Sequence, residues 1–463
     1  MSFASFEFVL FFLAILVGTG VLQHFHWNRG KELFLLFASY FFYGYWDWRF
    51  CFLLLFVTIV SYVCAKVADN KGFFILGVTV PLIVLAVFKY FNFFLSSVST
   101  VLGRDLGALR IILPVGISFY TFQALSYVID VRRKLLPAEQ DFVRLALYLS
   151  FFPQLVAGPI VRAADFLPQL KEDRRITLAG LQLGIQLIVF GLIKKNVLAD
   201  HLSVFVDDVF RAPGAFHWAS ILLAVVSYSI QIYFDFSGYS DIAIGCAKCL
   251  GYDFLPNFNL PYLSRNITIF WRRWHISLSS WLKEYLYIPL GGSHRGAVRR
   301  FINLFLTMLL GGLWHGANWT FVFWGFLHGT ALCVDKLIPR REKKRLPAQV
   351  FGILGTYLFV CFAWIFFRAD SFAVAWKVIA GIFSMQQGIV QPFFWSFVAI
   401  IILLIASVVA IWRTRKTGTS QIDGFYPVLS LNTIPGLIAF FMACGLILGL
   451  AFTGEAPFVY FQF

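Results

Sequence analysis

The chain has 463 residues, of which 60% are apolar, 19% aromatic and only 13% charged. A water-soluble domain carries about 25% charged residues, so half of the expected charge is missing and a soluble globular surface is excluded. Lys and Arg total 38 against 23 Asp and Glu, a formal balance of +15. The positives sit in short loops between apolar runs, which is the pattern of cytoplasmic loop bias and anionic-headgroup contact. No separate basic domain is present to house a nucleic acid, so membrane lipids are the expected partner of this charge. The composition predicts an all-α, polytopic membrane protein.

Twelve apolar runs follow in order. The first, Phe8–Phe25, has no basic n-region before it and no small-residue cleavage site, so it reads as a retained span. The others lie at about Leu33–Trp46, Phe50–Ala65, Phe73–Leu95, Ile111–Ile129, Leu178–Ile193, Trp218–Phe234, Phe301–Leu313, Phe321–Val334, Phe351–Phe367, Phe393–Ile411 and Ile434–Phe452. Several are shorter than the roughly 20 residues a perpendicular helix needs, which implies broken helices or a thin membrane. The expectation is about 11 to 13 membrane helices, some short or re-entrant.

Placing the basic clusters at Arg29 and Lys31, Lys66 and Lys71, Arg132 to Lys134, Arg174 and Arg175, Arg295 to Arg300, Lys336 to Arg345, and Arg413 to Lys416 on the cytoplasmic side is consistent with these runs. It sets both chain ends outside the cytoplasm. Lys194 and Lys195 fall at the other end of their run and are not explained by orientation. Two stretches fit neither span nor loop. Tyr148 to Arg162 carries Pro153, Gly158 and Pro159, helix breakers that suggest a re-entrant segment. Residues 257–290 alternate aromatic and aliphatic side chains with Arg265, Arg272, Arg273, Lys283 and Glu284, the pattern of interfacial helices. Internal repeats are not visible, which argues against an inverted-repeat transporter.

An ionisable side chain at membrane depth is a functional candidate by default. His315 lies in Gly311-Gly-Leu-Trp-His-Gly-Ala-Asn-Trp319, a glycine-rich turn between two apolar half-spans. The glycines let the backbone bend and approach a ligand, Trp314 supplies an aromatic wall, and imidazole is a suitable general base near neutral pH. His275 follows Arg272 and Arg273, which could meet a phosphate, a carboxylate or lipid headgroups. Asp235 and Asp241 bracket Asp235-Phe-Ser-Gly-Tyr-Ser-Asp241 at the predicted end of a span. They could orient an imidazole or bind a cation, but capping the helix end is the favoured reading. His328 reads as a packing or hydrogen-bonding residue. His24 and His26 form an HxH with no third ligand, and Cys246 and Cys249 a lone CxxC on a helix face, so no metal site is expected.

The strings LPVGISFYTFQALSYVID from Leu113, SFFPQLVAGPIVR from Ser150, QIYFDFSGYSDIAIG from Gln231, FWRRWHISLSSWLKEYLYIPLGG from Phe270, LLGGLWHGANWTFVFWG from Leu309 and FVYFQF from Phe458 together resemble the membrane-bound O-acyltransferase (MBOAT) family, in its AlgI-like bacterial branch of polysaccharide O-acetyltransferase subunits. The resemblance implies one transmembrane domain over 1–463 with a ring of helices around a thinned centre. It implies interfacial helices at 257–290 and a helical hairpin at 301–335 carrying the active-site histidine. His315 and His275 are the implied catalytic residues, with Asp235, Asp241, Trp314, Asn318, Arg272 and Arg273 in support. No bound cofactor is implied; the donor would be acetyl-CoA or another acyl thioester. The implied place is the bacterial inner membrane. The implied partner is an extracytoplasmic SGNH-type acetyltransferase of the AlgJ/AlgX kind, with a polysaccharide reached indirectly. Transfer of D-alanine to teichoic acid, as in the DltB-like branch, and a polysaccharide transporter or channel are the alternatives.

Overall fold

The computed structural model describes residues 1, 3–294, 296–338, 346–417, 429–452, 454 and 458. Arg295, most of the basic stretch after Leu337, and the FVYFQF string beyond Phe458 lie outside the described residues. The described residues are mostly helical, with no strand element among them. Among the described residues, seven helices are long and apolar enough to cross a membrane: Phe6–His24, Arg49–Lys66, Lys71–Leu102, Leu178–Arg211, Trp218–Cys249, Gly296–His315 and Pro347–Arg368. Three shorter apolar helices follow at Phe372–Phe383, Phe394–Val409 and Ile434–Leu450. The protein is a polytopic membrane protein.

Each of the twelve predicted runs falls on a helix. Three of them, in Asn28–Asp47, Ile117–Arg132 and Trp319–Leu337, do not count as spans by length and composition. Ile117–Arg132 buries Ser118, Thr121, Gln123, Ser126 and Asp130 along with its apolar residues, so it packs in protein on all sides. The predicted start at Ile111 is also too early. The helix begins after Gly116, which sits at φ +75 and has no room for a side chain, since a Cβ would stand 2.4 Å from the Leu155 carbonyl oxygen. That close approach fixes Gly116 against the predicted helix-breaking stretch. There the chain forms helix Phe142–Ser150, a short turn Phe152–Leu155 and then irregular backbone, with Leu145 to Ala157 almost wholly buried.

Cα proximity divides the chain into two compact units, residues 1–189 with 239–255, and residues 190–238 with 256–463. The first unit carries an ion network in which Glu32 accepts from Arg29 at 2.8 Å and from Arg144 at 2.8 Å, and Asp141 accepts from Arg29 at 2.6 Å. Asp141 also caps helix Phe142–Ser150 by accepting from the Val143 N–H at 2.9 Å. Partial burial pushes the Asp141 pKa up, and the bonds from Arg29 and Val143 outweigh it, leaving the pKa below the usual value. A carboxylate depressed on folding stabilises above its unfolded pKa of about 3.9 and loses that contribution as pH falls through the folded value. Asp141→Asn is therefore expected to lower stability by about 1 kcal/mol at pH 6. The gap to wild type should start to narrow as pH falls below about 4 and close only below the depressed folded value, as thermal unfolding in detergent across an acid pH series would measure.

The second unit holds the glycine-rich hairpin, residues 257–290 and the helices packed on them.

Candidate active site

Helix Gly296–His315 turns back through three residues into helix Trp319–Leu337. Asn318 makes the turn. Its Oδ1 accepts from the Thr320 N–H at 3.0 Å, capping the second helix, and its Nδ2 donates to the Asp370 carbonyl at 3.0 Å. The two helices touch at backbone distance. A Cβ on Gly312 would lie 2.3 Å from the Phe321 carbonyl oxygen, and one on Gly325 would lie 2.4 Å from that of Met308. Small residues permit this contact, in which van der Waals packing replaces the hydrophobic drive absent in lipid. Gly312→Ala is expected to part the helices, at about 1–3 kcal/mol of overpacking. A lowered unfolding midpoint together with lost activity would show it.

His315 ends the first helix and is 3% exposed. Its ring centroid lies 5.1 Å from Trp314, 5.1 Å from Trp324 and 5.3 Å from Phe367, each in an edge-on arrangement. An imidazole in such a wall works in low dielectric, where a proton transfer or a developing charge feels its neighbours strongly.

His275 is fully buried and stands at φ +43, left-handed backbone that a non-glycine residue adopts at a cost. The bend separates helices Ile267–Trp271 and Ile276–Leu282. Burial pushes the imidazole pKa down, so the ring is neutral at pH 7. Its tautomer follows from the neighbours. Asn257 Oδ1 accepts from the Ser277 N–H at 3.1 Å and from the Ser277 hydroxyl at 2.9 Å, so the atom facing His275 Nδ1 at 3.2 Å is the amide oxygen. His275 Nδ1 therefore carries the proton and donates, and Nε2 holds the lone pair. The ring lies edge-on to Phe236 at 4.6 Å, and 6.2 Å from Trp314. Trp314 thus touches both histidines.

The segment that bears His275 is held to the hairpin by two polar contacts. Thr268 Oγ1 donates to Asp335 Oδ2, and Trp271 Nε1–H donates to His328 Nδ1 at 3.3 Å. Trp324, His328, Leu332 and Asp335 are spaced four, four and three residues apart on Trp319–Leu337, and all are buried on one face. His328 hydrogen-bonds, as expected from the sequence.

Asp235 and Asp241 do not cap a helix end. Both lie within one uninterrupted helix, Trp218–Cys249, and both are buried, at 1% and 5% exposed. The predicted end at Phe234 is corrected by the ion pairing of Asp235: Lys195 Nζ lies 2.7 Å from Asp235 Oδ1 and 2.6 Å from Asp200 Oδ1. Lys195 belongs to the widened π-type turn Ile193–Ala199. Gly238 admits that turn, since a Cβ there would meet the Gly191 carbonyl oxygen at 2.7 Å. The six-residue step from Asp235 to Asp241 turns a helix by about 600°, equivalent to about 240°, so the two point to different sides. Phe236, next to Asp235, forms the edge contact on His275.

Arg272 is exposed, and Arg273 is half-buried with Nη1 donating to the Leu263 carbonyl at 3.4 Å. Burial, with Arg265 nearby, lowers the Arg273 pKa, although a guanidinium remains cationic. The second unit therefore brings His315, Trp314, His275 and Phe236 into one continuous set of ring contacts, flanked by Asp235 with its lysine. Asn257 and Lys195 were not read from sequence as parts of this arrangement. The signal for Lys195 was its charge at the unexplained end of a run; Asn257 offered none.

The second unit is thus a helical membrane structure with one buried histidine at the apex of a glycine-packed hairpin and a second on a bend braced against it. The sequence model of MBOAT, the membrane-bound O-acyltransferase family, matches residues 1–376. The chain belongs to this family and is an O-acyltransferase. It is 40% identical over 398 residues to the probable alginate O-acetylase AlgI of Pseudomonas aeruginosa, covering 83% of this chain and 75% of that protein. It is 36% identical over 417 residues to the peptidoglycan O-acetyltransferase of Helicobacter pylori, covering 82% and 79%. The teichoic acid D-alanyltransferase of Bacillus subtilis is 29% identical over 279 residues, covering 56% and 69%.

Proposed function

We propose that this chain moves an acetyl group from a cytoplasmic acyl thioester, acetyl-CoA being the simplest, to an extracytoplasmic hydroxyl in O-acetylation of an alginate-like exopolysaccharide. The observation that carries the proposal is His315, buried in an aromatic wall at a hairpin apex of a chain 40% identical to alginate O-acetylases. His315 takes the proton of the acceptor hydroxyl as its oxygen attacks the thioester carbonyl carbon. The new C–O bond forms, the C–S bond breaks, and the departing thiolate recovers the proton from the imidazolium. His275, neutral and with the lone pair on Nε2, positions the acceptor by accepting from a hydroxyl, and Trp314 keeps the two rings in register. Asp235, held by Lys195, sets the Phe236 wall against His275; Arg272 and Arg273 supply positive charge for an anionic donor. The acceptor hydroxyl belongs to an SGNH-type partner of the AlgJ/AlgX kind, which passes the acetyl group to the polymer, and the enzyme sits in the bacterial inner membrane. Acetyl rather than D-alanyl transfer is favoured because the O-acetylating relatives cover 82–83% of the chain and the D-alanyltransferase 56%.

Cells lacking the chain and complemented with wild type or His315→Ala test this reading. Wild type restores ester-linked acetate on the exopolysaccharide and the variant does not. Acetate restored on peptidoglycan alone would transfer the reading to the activity named for the Helicobacter relative, and D-alanine esters would overturn it.

A further inference from the structure

His328 is fully buried and presents a defined face. An indole N–H can only donate, so the bond from Trp271 Nε1 makes His328 Nδ1 the lone-pair atom and puts the ring proton of the neutral imidazole on Nε2. That N–H finds no acceptor among the described residues, and neither do the indole N–H groups of Trp274 and Trp324, which are also 0% exposed. Buried donors are paired in folded proteins, and leaving one unmet costs as much as a lost hydrogen bond.

These three donors belong to one aromatic wall. Trp324 lies 4.6 Å from His328 and 5.7 Å from Trp364, and Trp364 lies 5.1 Å from Trp274. The same Trp324 stands edge-on to His315 at 5.1 Å. A wall that offers N–H groups is complementary to a ligand atom that only accepts. A carbonyl oxygen fits, whereas a hydroxyl or a water would bring further hydrogens needing acceptors of their own. We propose that His328 is a donor-binding residue whose Nε2–H bonds a carbonyl oxygen of the acyl thioester, with the Trp274 and Trp324 N–H groups lining the same wall, and that Trp271 is the positioning residue that fixes the required tautomer. This deepens the acyl-thioester reading of the His315 site and rests on it.

The test uses the full purified chain in lipid nanodiscs, with labelled acetyl-CoA as the probe for both equilibrium binding and acetyl transfer. His328→Phe is expected to weaken binding at least about tenfold, while His328→Gln, which keeps an N–H near the Nε2 position, stays within about threefold of wild type. Trp271→Phe frees the imidazole to move its proton to Nδ1. It is therefore expected to weaken binding several-fold in the wild-type background and to have no effect in the His328→Gln background. If His328→Phe does not fold, the Trp271→Phe and His328→Gln pair decides the matter alone. Equal losses for the Phe and Gln variants, or an equal Trp271→Phe effect in both backgrounds, means a packing role and overturns the proposal. Normal transfer by His315→Ala with these binding losses intact overturns the general-base reading and leaves His328 standing. No binding of acetyl-CoA by wild type overturns both.

Discussion

Replacing Lys195 with Met is expected to lower the stability of the protein by about 3–5 kcal/mol, the range for breaking a buried ion pair from one side. The side chains of Lys195, Asp200 and Asp235 are 8%, 11% and 2% exposed, so solvent cannot take over the screening. Without the ammonium, two carboxylates share one buried space, and each must gain a proton or pull the helices apart. The loss comes from the uncompensated charges and not from a large intrinsic worth of the pair. Neutralising them should therefore recover much of it: Lys195→Met with Asp200→Asn and Asp235→Asn is expected to unfold nearer to wild type than Lys195→Met alone. Unfolding midpoints in one detergent, compared across the set, measure this. A Lys195→Met midpoint equal to wild type would mean that water reaches the carboxylates. The same substitution is expected to lower activity, because the residue after Asp235 is Phe236, whose ring bounds His275 at 4.6 Å.

The second large effect is at His315. Removing a general base costs about 10²–10⁴ in rate. For His315→Ala the upper part of that range is expected, because the wall of Trp314, Trp324 and Phe367 offers no other titratable side chain. Truncation leaves a cavity beside Trp324, yet the hairpin itself is held by the Gly312 and Gly325 backbone contacts and by the Asn318 cap. The variant should thus fold, bind donor and fail in chemistry. His315→Gln, closer in volume, should fail equally, since an amide cannot accept a proton at neutral pH. Rates for the three proteins at equal folded concentration, with donor affinity measured alongside, separate lost chemistry from lost binding.

Much of the helical plan was legible because lipid demands long apolar stretches, and all twelve runs lie on helices. The errors fall where polar residues are buried in protein. Asp235-Phe-Ser-Gly-Tyr-Ser-Asp241 reads as a helix end because these residue types favour caps and turns. It continues as helix because Lys195 pairs Asp235 and because Gly238 lets the two backbones meet. No local spacing reveals that residues forty apart along the chain share a charge. The Gly-Gly-Leu-Trp-His-Gly stretch was partly legible for the opposite reason: close helix packing and an imidazole are written within six residues, although Gly311 to His315 finish the helix and the turn expected across them comes only at residues 316–318. His275 was visible as a residue, but its strained backbone and its fixed tautomer depend on Asn257, eighteen positions away. His328 shows the same limit, since its direction is set by Trp271 on another helix.

The measurement closest to the central claim is acetyl transfer by the purified chain in proteoliposomes, with labelled acetyl-CoA supplied on the cytoplasmic face and an SGNH-type partner or a model hydroxyl acceptor on the other. The predicted result is ester-linked label on the acceptor with wild type and at least about a hundredfold less with His315→Ala at equal donor affinity. Label transferred equally well by His315→Ala would contradict the account.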